Sequence, residues 1–145
     1  MTAGSGSGTV VGIGVDAVDL DRFRALLVRR PGLSFRLFTD DERAYASRAA
    51  DPTARLATRF AAKEATMKAL GVGLGAFSFV DVEVVRSGLG PPHLVLSGGA
   101  EELARVAGVG RWHLSLTHTD LVAMASVLAE GDGPSGVGTP TGDGA

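Results

Sequence analysis

The sequence predicts an α+β domain in which a largely antiparallel sheet packs with one long helix and several shorter ones. Three observations point there. A strand-like run opens the ordered part of the chain, two more stand close enough to close it as a hairpin, and apolar residues recur at helical spacing over the stretches between.

In residues 10–16, alternation puts Val11, Ile13 and Val15 on one face of a strand and Gly12, Gly14 and Asp16 on the other. The Asp16 face is nearly bare, which is read as space for something bulky to approach backbone and carboxylate together. Leu20, Phe23, Leu26 and Leu27 then mark a helix over residues 18–30, ended by Pro31 and Gly32. Thr39 with Glu42 forms a capping box that opens a second helix, expected to run to residue 49. Asp51 and Pro52 open a third and longest helix that reaches Leu70, with Gly71 as a left-handed stop. Strands are expected over 80–86 and 93–96, a short helix over 99–107, and the closing hairpin over 112–117 and 122–129.

Glycine, serine, threonine and proline dominate residues 1–8 and 131–145, which are expected to be flexible tails around a working domain at 9–130. With 145 residues, 45% of them hydrophobic, and a formal net charge of −2, the chain suits a single soluble domain with no role in coating nucleic acid. The absence of cysteine excludes disulfides, zinc–thiolate sites and thiol catalysis. No apolar run approaches the ~18 residues of a membrane span, and the N-terminus lacks a basic start and an apolar segment, so a cytoplasmic location is expected.

Glu64 and Lys68 are neighbours one turn apart on the longest helix, and Glu64 falls at the margin of the stripe formed by Leu56, Phe60 and Met67. By themselves they fit an ordinary surface ion pair, and Asp16 by itself fits a helix cap. Should the two carboxylates converge beside the ammonium, they would suit a hard, oxygen-seeking cation that bridges phosphates. Gly71, Gly73 and Gly75 follow a helix C-terminus, whose partial negative charge repels phosphate, so Walker and dinucleotide-loop readings fail. His118 lies among hydroxyls at a hairpin tip, where a satisfied turn residue is the ordinary reading. Arg22, Arg24, Arg29 and Arg30 concentrate positive charge in a chain that is net negative, which favours an acidic partner there.

Taken together, three stretches resemble the small, trimeric holo-[acyl-carrier-protein] synthases of the 4'-phosphopantetheinyl transferase superfamily. They are Gly12-Ile13-Gly14-Val15-Asp16 with Arg22, Arg59-Phe60-Ala61-Ala62-Lys63-Glu64-Ala65 with Lys68 and Gly71, and Ser115-Leu116-Thr117-His118-Thr119. The resemblance implies that fold, with magnesium on Asp16 and Glu64 and the diphosphate of coenzyme A met by Lys68. It also implies that Arg59, Lys63, Gly71, His118 and Thr119 contact coenzyme A, that Asp16, Glu64, Lys68 and His118 serve catalysis, and that Arg22, Arg24 and Arg29 dock an acidic acyl carrier protein. A homotrimer with sites between subunits is expected. Two departures stand out: Val18 occupies the place where two-lobed relatives often carry a further metal-binding acid, and Pro92 stands where many relatives have a polar residue. Rival readings are another magnesium enzyme acting on a nucleotide diphosphate and a non-catalytic module that binds carrier proteins.

Overall fold

The structure is a computed structural model, and residues 8–132 are described here. Both expected tails lie almost wholly outside that span. Five strands and five α-helices follow one another: β1 (Thr9–Asp19), α1 (Leu20–Arg29), α2 (Leu33–Leu37), α3 (Asp40–Ala46), α4 (Thr53–Leu70), β2 (Val82–Val85), β3 (His93–Leu96), α5 (Gly98–Ala107), β4 (Val109–His118) and β5 (Val122–Gly131). The sheet divides in two. One is three-stranded in the order β1-β5-β4 and the other pairs β2 with β3, and every pairing is antiparallel.

The 18-residue helix α4 organises the interior. Leu56 and Ala57 join α1 and α3 in one buried cluster, Ala61, Ala62, Ala65 and Ala69 press on β5, and Met67 meets Phe77, Val82 and Ala100. Where α4 lies against β5 the strand offers Ala123, Ala125, Val127 and Ala129, all buried, because short side chains bring helix and sheet into close contact. Gly12 and Gly14 serve the same end on β1. A Cβ at Gly12 would stand 1.9 Å from the Ala69 carbonyl oxygen, and one at Gly14 would stand 1.9 Å from that of Ala65. The bare face of β1 is therefore filled by α4, which corrects the expectation of space for a ligand there.

Local signals place the ends of the elements. Thr39 and Glu42 form the predicted capping box, and Gly71 ends α4 at φ +70°, a left-handed conformation that costs glycine little. Helix α2 was not expected, β4 starts at Val109 rather than at residue 112, and three further boundaries differ from expectation. β1 continues to Asp19, so α1 begins at Leu20 rather than at residue 18, and Asp19, not Asp16, caps it by accepting from the Arg22 amide at 3.0 Å. α3 stops at Ala46 rather than residue 49. Before β2, residues Phe79–Asp81 form a 3-10 turn where a longer strand was predicted.

The second face of the three-stranded sheet is left uncovered by the described residues of one chain. Val10, Ile13 and Val15 are 62%, 67% and 53% exposed, and Met124 joins them. Apolar side chains this exposed on one flat surface mark an interaction face.

Candidate active site

Helix α4 delivers five charged side chains, Arg55, Arg59, Lys63, Glu64 and Lys68, at different angles around its axis. Glu64 and Asp16 line one groove of about 540 Å³, walled by Phe23, Leu26 and Phe60 and rimmed by Arg22 and Arg29. Phe60 is held in place by tilted contact with Phe23 at 5.4 Å and stacking on Phe79 at 5.7 Å between ring centroids. The Lys68 ammonium reaches Asp16 Oδ1 at 3.2 Å and donates to the Val15 carbonyl at 2.9 Å. The carboxylates and the ammonium therefore do converge, and Asp16 is released from helix capping because Asp19 performs it. Partial burial pushes the Glu64 carboxyl up from its ordinary value, the Asp16 charge pushes it further, and Lys68 opposes both.

A second, basic pocket of about 350 Å³ contains Arg55, Arg59, Arg86, Tyr45, Thr117 and His118, and it shares no lining residue with the acid groove. Arg59 is buried, lies 4.4 Å from the centre of the Tyr45 ring and donates to the Arg55 carbonyl at 3.2 Å, yet its Nε has no partner. Four cationic or imidazole side chains in one concavity, one with an unsatisfied donor, suit an anion such as a phosphate.

Residues 12–121 match the family model of the 4'-phosphopantetheinyl transferase superfamily. The chain belongs to that superfamily. It is 50% identical over 121 residues to the holo-[acyl-carrier-protein] synthase of Frankia casuarinae, covering 83% of this chain and 98% of the relative. Among solved structures, the holo-[acyl-carrier-protein] synthase of Neisseria meningitidis superposes with a TM-score of 0.77 at 33% identity, over 84% of this chain and 99% of that one. The Bacillus anthracis synthase, in complex with CoA (3',5'-ADP), gives 0.71 at 34% identity over 86% and 99%. With these synthases the chain shares an α+β architecture.

Not every residue expected at the superfamily's site lies free to act there. Lys63 is fully buried, its ammonium 2.8 Å from Glu42 Oε1 and donating to the carbonyls of Phe79, at 3.0 Å, and Val82. Glu42 in turn accepts from the amides of Thr39 at 2.9 Å and Val84 at 2.8 Å. This pair fastens α4 to α3 and β2, and Lys63 is corrected from a coenzyme A contact to an internal tie. Arg24 is likewise engaged, donating to Asp21 at 3.0 Å and to Asp51 at 2.9 Å, and it is absent from the groove that Arg22 and Arg29 line. The Thr53 amide and Arg24 together hold the Asp51 carboxyl down at about 2. The Thr119 hydroxyl accepts from the amides of Leu121 and Val122, both at 3.1 Å, and so closes the β4–β5 turn. Gly71 meets open space.

Sequence reasoning missed Arg55, Arg86 and Tyr45. Arg55 and Arg59 are one helical turn apart on α4 and hence side by side, a spacing that could have revealed the pair.

Glu64 yields a prediction about stability. Its pKa is higher folded than unfolded, so the folded state binds the proton more tightly and ionisation costs stability. That cost is complete above the folded pKa and disappears as pH falls below the ordinary glutamate value. Glu64→Gln is therefore expected to raise the melting temperature in metal-free buffer at pH 7 by a few degrees. Solvent at the open groove keeps the gain under about 1 kcal/mol. Melting curves across the acid range should show the difference vanish toward low pH; a variant that melts lower than wild type at pH 7 would refute the reading.

Proposed function

We infer that the enzyme transfers the 4'-phosphopantetheine arm of coenzyme A to a serine hydroxyl of an apo acyl carrier protein, releasing adenosine 3',5'-bisphosphate. The observation that carries this is the convergence of Asp16, Glu64 and Lys68 beside an arginine-rimmed groove, in a chain that spans 98% of a holo-[acyl-carrier-protein] synthase.

Phosphoryl transfer of this kind needs positioning and charge neutralisation more than covalent catalysis. Asp16 and Glu64 fit magnesium: both are oxygen donors in one groove, and that ion takes one or two protein carboxylates while keeping several waters. When bound, magnesium would polarise the diphosphate and offset its charge. Lys68, in the last turn of α4, sets an ammonium against the reacting phosphates. Glu64, which holds a proton more tightly than a free glutamate, is suited to receive the proton of the serine hydroxyl. Arg22 and Arg29 orient the acidic carrier at the rim, and Phe23, Leu26 and Phe60 exclude water from the wall.

Asp16 and His118 border separate concavities of one chain, and the described residues leave the sheet face bearing Ile13 and Val15 uncovered. Both facts support a cyclic trimer in which the acid groove of one subunit meets the basic pocket of the next. Arg59 and His118, with Arg55 and Arg86 beside them, would then hold the terminal phosphate of coenzyme A across the subunit boundary.

Intact-mass analysis of an apo carrier incubated with the enzyme, coenzyme A and magnesium tests the reaction. A phosphopantetheine mass increase is expected, and an unmodified carrier with hydrolysed coenzyme A would favour the rival hydrolase. Charge reversal at Arg22 or Arg29 is expected to raise the carrier KM about tenfold while leaving the coenzyme A KM nearly unchanged. Added salt should reproduce the change, since the Debye length falls to about 3 Å at 1 M. Equal effects on both substrates would move the arginines to the nucleotide. Arg24→Glu should matter less, because Arg24 is already paired.

A further inference from the structure

We propose that Lys68 is an internal counter-cation that competes with the divalent metal for Asp16, so that coenzyme A tightens metal binding by drawing the ammonium away. This rests on the function proposed above.

The ammonium of Lys68 is anchored beside Asp16 by a neutral group. Its 2.9 Å bond to the Val15 carbonyl holds it next to Asp16 Oδ1 at 3.2 Å, on the strand residue just before the acid. A lysine pairing by charge alone would not need that carbonyl. The partners differ in exposure: the Asp16 side chain is 16% exposed and that of Lys68 is 54%. A mostly enclosed carboxylate has little room for two cations, so a metal arriving at Asp16 replaces the ammonium instead of joining it, or else meets its repulsion at close range. Lys68 can leave more easily than Asp16 can move, since it is a long, half-exposed side chain on the last turn of α4 and Asp16 belongs to a paired strand.

The place to which it would swing lies at the end of the same helix. Nothing stands within 4 Å of where a Cβ of Gly71 would be, so an anion can approach the helix end closely. The C-terminal partial charge of α4 repels such an anion, and a displaced Lys68 ammonium would compensate for it. The diphosphate of coenzyme A thus gives Lys68 an alternative partner and frees Asp16. Metal and coenzyme A then favour one another, and linkage makes that coupling reciprocal.

The test measures Mn²⁺ binding, by the electron paramagnetic resonance signal of the free ion, for wild type, Lys68→Met and Lys68→Arg at one fixed pH, with and without coenzyme A and without any carrier. Removing a unit positive charge a few ångströms from a divalent ion should tighten Mn²⁺ binding about tenfold in Lys68→Met alone. Coenzyme A should then tighten binding less in Lys68→Met than in wild type, while Lys68→Arg keeps the wild-type pattern. Matching melting temperatures for the three proteins would show that the fold is retained. Equal or weaker Mn²⁺ binding by Lys68→Met, or equal tightening by coenzyme A in both proteins, overturns the exchange. Failure of wild type to bind Mn²⁺ at all overturns it too, and the separate carrier-mass assay then decides whether the proposed transfer survives.

Discussion

Asp16→Ala and Glu64→Ala are each expected to lower transfer at saturating magnesium by about 100-fold or more, the size of loss seen when one preorganised charge-stabilising group is removed from a transition state. Each substitution deletes one of the two carboxylates assigned to the metal, and Asp19, the other acid lining the groove, is engaged in capping α1. The residual rate should respond weakly to added metal, and chelation of wild type should reproduce the defect. Neither change should unfold the protein. Glu64 is half-buried with its charge disfavoured by its surroundings, and Asp16 caps no helix, so the loss appears in turnover rather than in melting. Steady-state rates and melting curves on the same preparations separate the two. Near wild-type turnover by either variant would remove that acid from the metal site.

Gly14→Val is expected to prevent stable folding. The Cβ would sit 1.9 Å from the Ala65 carbonyl oxygen and 3.0 Å from the Ala69 amide nitrogen, so it meets backbone that no rotamer change can move. Relief requires β1 to separate from α4, which would open the cluster of Ala61, Ala62, Ala65, Ala125 and Val127. A domain whose total stability is about 5–15 kcal/mol cannot absorb such a loss. Soluble yield and the far-ultraviolet circular dichroism melt should both collapse, whereas Val15→Ala on the opposite, exposed face should leave the melt of the isolated subunit nearly unchanged. A Gly14→Val protein that melts like wild type would show that helix and strand do not pack as described.

That glycine face also shows where the sequence could mislead. Alternation identified the two faces of β1 correctly, yet a stripe without side chains has two physical meanings, access for a ligand or close approach of backbone, and only the position of α4 distinguishes them. Local chemistry was legible: the Thr39 and Glu42 capping box, the left-handed Gly71 and the strand at His93–Leu96 all depend on neighbours in the chain. The convergence of Asp16 with Glu64 depends on residues nearly fifty positions apart and entered only through family resemblance. Lys63 shows the limit of that route. It stands beside Glu64 in the motif, but the 100° turn between them points it into a buried pair with Glu42. The ion pair of Arg24 was not legible for a similar reason, since its partner Asp51 lies on a different segment.

The measurement that bears most directly on the shared-site account mixes two inactive proteins. Glu64→Ala damages only the acid groove and His118→Ala only the basic pocket, which in one chain share no residue. Unfolded, combined in equal amounts and refolded, the two chains assemble at random. A site is whole only if its acid side comes from the histidine variant and its basic side from the acid variant, so roughly a quarter of wild-type activity should return. If both parents are inactive and the mixture stays inactive as well, acid groove and basic pocket do not meet across a subunit boundary, and the shared-site account is wrong.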